Sequence, residues 1–119
     1  MYDAQYLITR SGSGVTVYSP WFPRGGAHAR FVVDIVSLED ATLTVKAWTK
    51  NSEDAGDSGT EIATATALAT ATQHAFQTTS AAEEMVRFTF HCSLSAENVV
   101  AIVLFRMLTI VWFDAVKAP

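Results

Sequence analysis

Two stretches of this chain alternate so regularly between apolar and polar side chains that a sheet with one buried face is the natural outcome. From Thr42 to Thr49, Leu43, Val45 and Ala47 share one face, while Thr42, Thr44, Lys46 and Trp48 share the other. From Met85 to Leu94, Val86, Phe88, Phe90 and Cys92 point one way, and Arg87, Thr89 and His91 point the other. Two residues is the period of a strand, whose successive side chains leave opposite faces. A helix would scatter these apolar residues around its circumference.

The remaining segments read as further strands and turns. Ala4 to Thr9 is a short apolar run, followed by Arg10-Ser11-Gly12-Ser13-Gly14 and then by β-branched Val15-Thr16-Val17, which predicts a β-hairpin. Ser19 to Gly26 is a loop, because Pro20 and Pro23 lack ladder donors. Arg30 to Leu38 predicts a strand closed by a turn at Glu39-Asp40, and Asn51 to Gly59 is a polar, acidic loop. Thr60 to Ser80 mixes alanines, which favour helix, with threonines, which favour strand. The alternation of Thr64, Thr66, Thr70 and Thr72 with alanines favours extended structure, with a helix as the alternative. Ser95 to Asn98 is a turn. Val99 to Phe105 is almost continuously apolar, as expected of a central strand buried on both faces. Met107 to Val116 predicts one last strand or two short ones.

About seven or eight strands with short turns predict an all-β, single-domain β-sandwich or jelly-roll spanning residues 1–119, with no linker to divide it. A faint internal echo points to two related halves. Arg30-Phe31 opens one strand–turn–strand unit with Ser37-Leu38-Glu39-Asp40 at its turn, and Arg87-Phe88 opens another with Ser93 to Asn98.

Composition bounds the partners. A chain of 119 residues buries roughly two-thirds of its unfolded surface and needs no covalent staple. The lone Cys92 allows no internal disulfide. Half the residues are hydrophobic, only 17% are charged, and the mean hydropathy is +0.22, an oily balance that suits a surface partly covered by a partner or by further copies. Eight scattered basic residues and a net charge of −4 disfavour nucleic acid, which needs a basic face. The start of the chain shows no signal-peptide pattern, so synthesis in the cytoplasm is expected. The apolar stretch from Val99 to Phe113 is too short to span a bilayer and contains Arg106, so no membrane partner is expected either.

No residue set assembles into a reaction centre. Glu53, Asp54 and Asp57 lack the spacing of a calcium loop, and His28, His74 and His91 have no ligand spacing. Ser11 and Ser13 precede a strand rather than a helix, unlike a nucleophile elbow. The expectation is therefore no enzyme, no metal and no cofactor. Trp21 and Phe22, held between Pro20 and Pro23 and followed by Arg24, form a stiff aromatic loop. Trp and Arg are enriched at interface hot spots, so Trp21, Phe22 and Arg24 are candidate partner contacts, or the rings plug one end of a sandwich. Trp21, Trp48 and Trp112 are candidates for a carbohydrate platform, and Trp48 lies on the wetter face of its strand. Arg106 pairs with an acid such as Asp114 or lines a contact surface.

The blocks Val17 to Gly26 (VYSPWFPRGG) and Val103 to Leu108 (VLFRML), closed by Trp112-Phe113-Asp114, resemble those of small proteins encoded near the head genes of tailed bacteriophages, the capsid decoration or cement proteins. The resemblance spans most of the chain. It implies a copy-rich structural protein on the outside of the virion, bound to the major capsid protein and to neighbouring copies, and needing no cofactor. A head fibre or tail component is the near variant of this reading, and a carbohydrate-binding module is the alternative outside it.

Overall fold

Each long alternating stretch becomes a strand with its apolar side turned inward. A computed structural model of the chain describes residues 5–53 and 59–114, and among these there is no helix. The strands are β1 (Gln5–Thr9), β2 (Val15–Tyr18), β3 (Phe22–Pro23), β4 (His28–Glu39), β5 (Ala41–Lys50), β6 (Thr60–Leu68), β7 (Gln73–Gln77), β8 (Met85–Leu94), β9 (Ala101–Met107) and β10 (Val111–Phe113).

They form two antiparallel sheets. Sheet A contains β1, β9, β4, β10 and β7, and sheet B contains β2, β8, β5, β6 and β3. In sheet A, β7 pairs with β4 over Arg30 to Asp34 while β9 pairs with it from Val33 to Glu39, so these two lie on opposite edges of β4. β10 pairs at His28 to Arg30, beyond β9 on the same edge, and Leu108 N–H donates to the Val32 carbonyl at 2.9 Å between them. β9 and β10 therefore share one strand position. β2 and β3 likewise share one edge of β8, because β5 occupies the whole of the other.

Ten strands thus fill eight positions, and the chain visits them in jelly-roll order. The first position pairs with the eighth, the second with the seventh, the third with the sixth and the fourth with the fifth. This is a long antiparallel hairpin, folded at the loop between β5 and β6 and then rolled into two layers. The fold class expected from the alternation holds, and the two extra strands are short continuations along positions already counted.

Between the layers lies one core. Phe31 is the hub: Phe76 lies 5.1 Å from it, Phe88 meets it edge-on at 5.2 Å, and Trp112 does so at 6.5 Å. Phe90 and Phe105 join the two sheets at 4.9 Å. Each such ring removes apolar surface from water, contributing roughly 1.5–3 kcal/mol.

Two local expectations change, and one left between two alternatives is resolved. The β1–β2 connection is a corner between layers rather than a hairpin, since β1 pairs with β9 and β2 with β8. The two strands turn Leu7 and Val17 into the same core from opposite sides. β9 is buried on one face only: Ala101, Val103, Phe105 and Met107 are buried, while Ile102, Leu104 and Arg106 are half-exposed. Thr60 to Ser80 resolves as extended, with β6 and β7 joined by a turn. Of the acidic loop, Asp54 to Ser58 lie outside the described residues, as do Met1 to Ala4 and the chain after Asp114.

Candidate functional site: the two outer faces

A jelly roll turns two sheet faces outward, and here they differ in chemistry. On sheet B the polar partners of the alternation line up in rows. Thr16, His91 and Thr44 form one row, and Tyr18, Thr89, Lys46 and Thr64 form the next. Arg87, Trp48 and Glu61 form the third. All of these except Thr64 and Glu61 line a groove of about 360 Å³.

The groove is held rigidly. Trp48 Nε1 donates to Thr89 Oγ1 at 2.9 Å, which fixes the indole across the β5–β8 ladder. The Arg87 guanidinium is stacked between two rings, 4.6 Å from Tyr18 and 4.7 Å from Trp21, which is why an arginine can be nearly buried on an outer face. Lys50 caps Trp21 at 4.9 Å. His91 Nδ1 and Thr16 Oγ1 share a hydrogen bond at 2.7 Å. The Thr64 hydroxyl donates to Glu61 at 2.7 Å and Lys46 lies 3.1 Å from it. The Thr64 hydrogen bond, helped by Lys46, holds the Glu61 carboxyl below its usual range against the opposing effect of burial.

The outer face of sheet A carries an apolar patch along β1 and β9. Tyr6 and Ile8 of β1 stand beside Leu104 and Ile102 of β9, and Val36 projects at the bulge in β4. Tyr6, Ile8 and Val36 are 63%, 60% and 49% exposed. Val111, also well exposed, continues the face beside Arg30. Among the described residues β1 has β9 as its one ladder partner, so its other edge is open.

The aromatic loop divides between the inside and the outside. Phe22 packs on the core, 5.6 Å from Phe88. Trp21 lies on the outer side of sheet B, and its ring closely approaches Gly59. Arg24 is exposed, with Nη1 donating to the Ala82 carbonyl at 2.6 Å. Trp112 turns toward the core from sheet A and so does not join Trp21 and Trp48. Arg106 pairs with Asp34 rather than Asp114. His28 shares a hydrogen bond with Thr78 and stacks on Phe113, and His74 bonds the Thr70 carbonyl. The three histidines are thus well separated, and no group of three or more possible metal ligands occurs among the described residues.

Sequence reasoning singled out Trp48 but not its companions Tyr18, Lys46 and Arg87. The signal was the polar half of the alternation, which becomes a site only once strand register is known. It took the segment up to Tyr6 as a strand for a neighbour's sheet edge but missed the outward apolar face that Tyr6 and Ile8 form, although an apolar residue on both sides of Leu7 marks a strand with two apolar faces. No protein-family model matches the chain, and no curated protein or solved structure matches it.

Proposed function

We propose that this chain is a structural virion protein, a decoration or cement protein that lays the outer face of sheet A on the major capsid protein lattice of a phage head. The observation that carries the reading is the concentration of exposed apolar side chains on that one face. Of the five large apolar residues most exposed among the described residues, Tyr6, Ile8, Val36 and Val111 stand there. Exposed apolar side chains gathered on one face are unfavourable in water and mark a contact site. The jelly roll is used by viral capsid and lectin domains among others, so the fold is compatible with the role without carrying it.

The mechanism is mass action. A protein that binds the mature shell and not its precursor stabilises the mature shell by its binding free energy. Repetition over a lattice turns modest contacts into avidity. The open edge of β1 offers a neighbouring copy a place to add a strand. Trp21 lies on the opposite sheet, so the surface assigned to the shell is distinct from the Trp21 loop.

Co-sedimentation tests this directly. Purified protein should pellet with expanded, undecorated heads at a saturating ratio set by the lattice. Ile8→Asp, at an exposed position that adds no core defect, should stay in the supernatant while keeping its melting temperature. Wild-type protein that never pellets, or an Ile8→Asp variant that pellets equally well, rejects the reading.

A further inference from the structure

The outermost strands of the two sheets are not alike. β6 is bulged at Ala67 and carries Glu61. The edge formed by β2 and β3 is interrupted at Pro20 and ends on Pro23. Bulges, charges and prolines are the devices that keep a sheet edge from pairing with another chain. β7 lacks them but exposes Gln73, Ala75 and Gln77, so pairing there would gather little apolar surface. β1 also lacks them: Gln5 to Thr9 is uncharged and without proline, and its register with β9 runs without a shift. Unlike β7, it exposes Tyr6 and Ile8. We propose that β1 pairs antiparallel with β1 of a second copy, about a two-fold axis through Leu7, and so joins two A sheets into one. The pairing specifies the copy-to-copy contact of the shell reading and in that sense rests on it, but it is measured on the protein alone.

The backbone supplies the attraction. In an antiparallel ladder, alternate residues turn their N–H and C=O toward one neighbour, and the residues between turn theirs the other way. β1 has β9 on one side, and among the described residues no backbone group of Gln5 to Thr9 bonds outside that ladder. The outward groups match those of an identical strand run in the opposite direction.

The side chains fix the register. Leu7 and Thr9 are buried and Tyr6 and Ile8 are exposed, so a pairing strand must keep inward residues opposite inward ones. Centring the pair on Leu7 overlaps the whole of β1 and sets Tyr6 opposite Ile8 of the second copy, twice by symmetry. An aromatic ring against a β-branched side chain is a favourable cross-strand pair. The two-fold axis stands perpendicular to the joined sheet, so both outer faces look the same way. The two patches of Tyr6, Ile8, Ile102 and Leu104 then lie side by side, as a shared contact with one shell requires. A ladder this short covers less than the about 1,200 Å² of a standard interface, so the pairing is weak in dilute solution and is favoured where copies are crowded.

Disulfide trapping on the full chain reads a weak but specific contact. An equal mixture of Tyr6→Cys and Ile8→Cys should form covalent dimer about tenfold or more faster than either variant alone, because only the mixture sets two thiols directly opposite at bridging distance. Native Cys92 is buried, so wild type should form none. Val36→Cys, exposed on the same face but in β4, should not be trapped, whereas two copies stacked face to face would trap it. Sedimentation of wild type should show a dimer that grows with concentration. Ile8→Lys, which places on the edge a charge of the protective kind, should stay monomeric while keeping its melting temperature. A mixture no faster than its components, trapping of Val36→Cys, an Ile8→Lys variant that dimerises equally, or wild type that is monomeric up to about 1 mM overturns the proposal. Shell binding is read separately: protein that dimerises but never pellets with heads rejects the shell reading alone, and protein that pellets as a monomer rejects the pairing alone.

Discussion

Arg106 Nε donates to the Asp34 carboxylate at 2.9 Å, and the two residues are direct partners across the β4–β9 ladder. The pair lies on the outer face of sheet A beside its apolar patch, with Arg106 two residues from Leu104 and Asp34 two residues from Val36. Its strength reports the wetness of that face. With the Arg106 side chain 42% exposed, solvent screens the attraction, so a double-mutant cycle of Asp34→Ala and Arg106→Ala on the free protein should give a coupling of about 0.2–1 kcal/mol that shrinks in high salt. Urea unfolding measures it. A coupling above about 2 kcal/mol, insensitive to salt, would mean that the pair is desolvated and that copies already cover this face in solution.

Cys92 is fully buried on the inner face of β8, and burial pushes its thiol above the usual range by penalising the thiolate. The neutral thiol is inert, so the native protein should resist a disulfide reagent that labels it at once in denaturant. The sign of the pH effect follows. The folded thiol titrates later than the unfolded one, so its contribution to stability is intact below the unfolded value, about 8.5, and is lost as pH rises from there through the folded value. Comparing wild type with Cys92→Ala across that window isolates the effect: the variant is less stable at neutral pH but declines less steeply above it. Parallel declines would show that Cys92 does not contribute.

Gly14 is where the first layer hands the chain to the second. It holds φ 78°, and a Cβ there would sit 2.4 Å from the Cys92 carbonyl oxygen and 2.8 Å from His91 Nε2. The carbonyl belongs to the β8 ladder and cannot give way. Gly14→Ala should therefore cost about 1–3 kcal/mol, combining left-handed strain with the displaced neighbour. Gly12→Ala is the control, since nothing lies within 4 Å of its added carbon. Equal stability of the two variants in thermal melts would show that the corner does not press on β8.

The parts legible in the sequence were those governed by local periodicity. The inward sets Leu43, Val45, Ala47 and Val86, Phe88, Phe90, Cys92 were readable because a half-buried strand imprints its period on the chain. The faint echo between Arg30-Phe31 and Arg87-Phe88 also has a structural counterpart. β4 and β8 both end in turns that carry the chain to the opposite sheet, and each turn has a residue with left-handed backbone, Asp40 at φ 53° and Asn98 at φ 58°. Asp and Asn tolerate that conformation better than most residues, which is why both turns were readable. The β1–β2 corner was not, because Gly-rich turns serve hairpins and layer crossings alike, and the choice is made by the distant partners β9 and β8. The groove was unreadable for the same reason. Tyr18, Lys46 and Arg87 belong to three strands that only the rolled topology makes neighbours.

The bulge in β6 offers a stabilising substitution. Thr66 and Ala67 together face Thr44, between the pairs Val45–Ala65 and Leu43–Leu68, and Ala67 adopts φ 51° while its N–H donates to Thr44 Oγ1 at 3.1 Å. An alanine in the left-handed region is strained by about 1–2 kcal/mol, whereas glycine there is unstrained but loses roughly 0.5–1 kcal/mol more in chain entropy on folding. The side chain is exposed, so no packing is forfeited. Strain relief outweighs entropy, and Ala67→Gly should raise stability by up to about 1 kcal/mol. Ala67→Val should lower it by more than about 1 kcal/mol, because a β-branched residue resists positive φ most strongly. Chemical denaturation of the two variants checks the pair together. If Ala67→Gly instead loses about the 0.5–1 kcal/mol typical of glycine in a regular strand, Ala67 does not hold a left-handed backbone and the bulge must be placed elsewhere in β6.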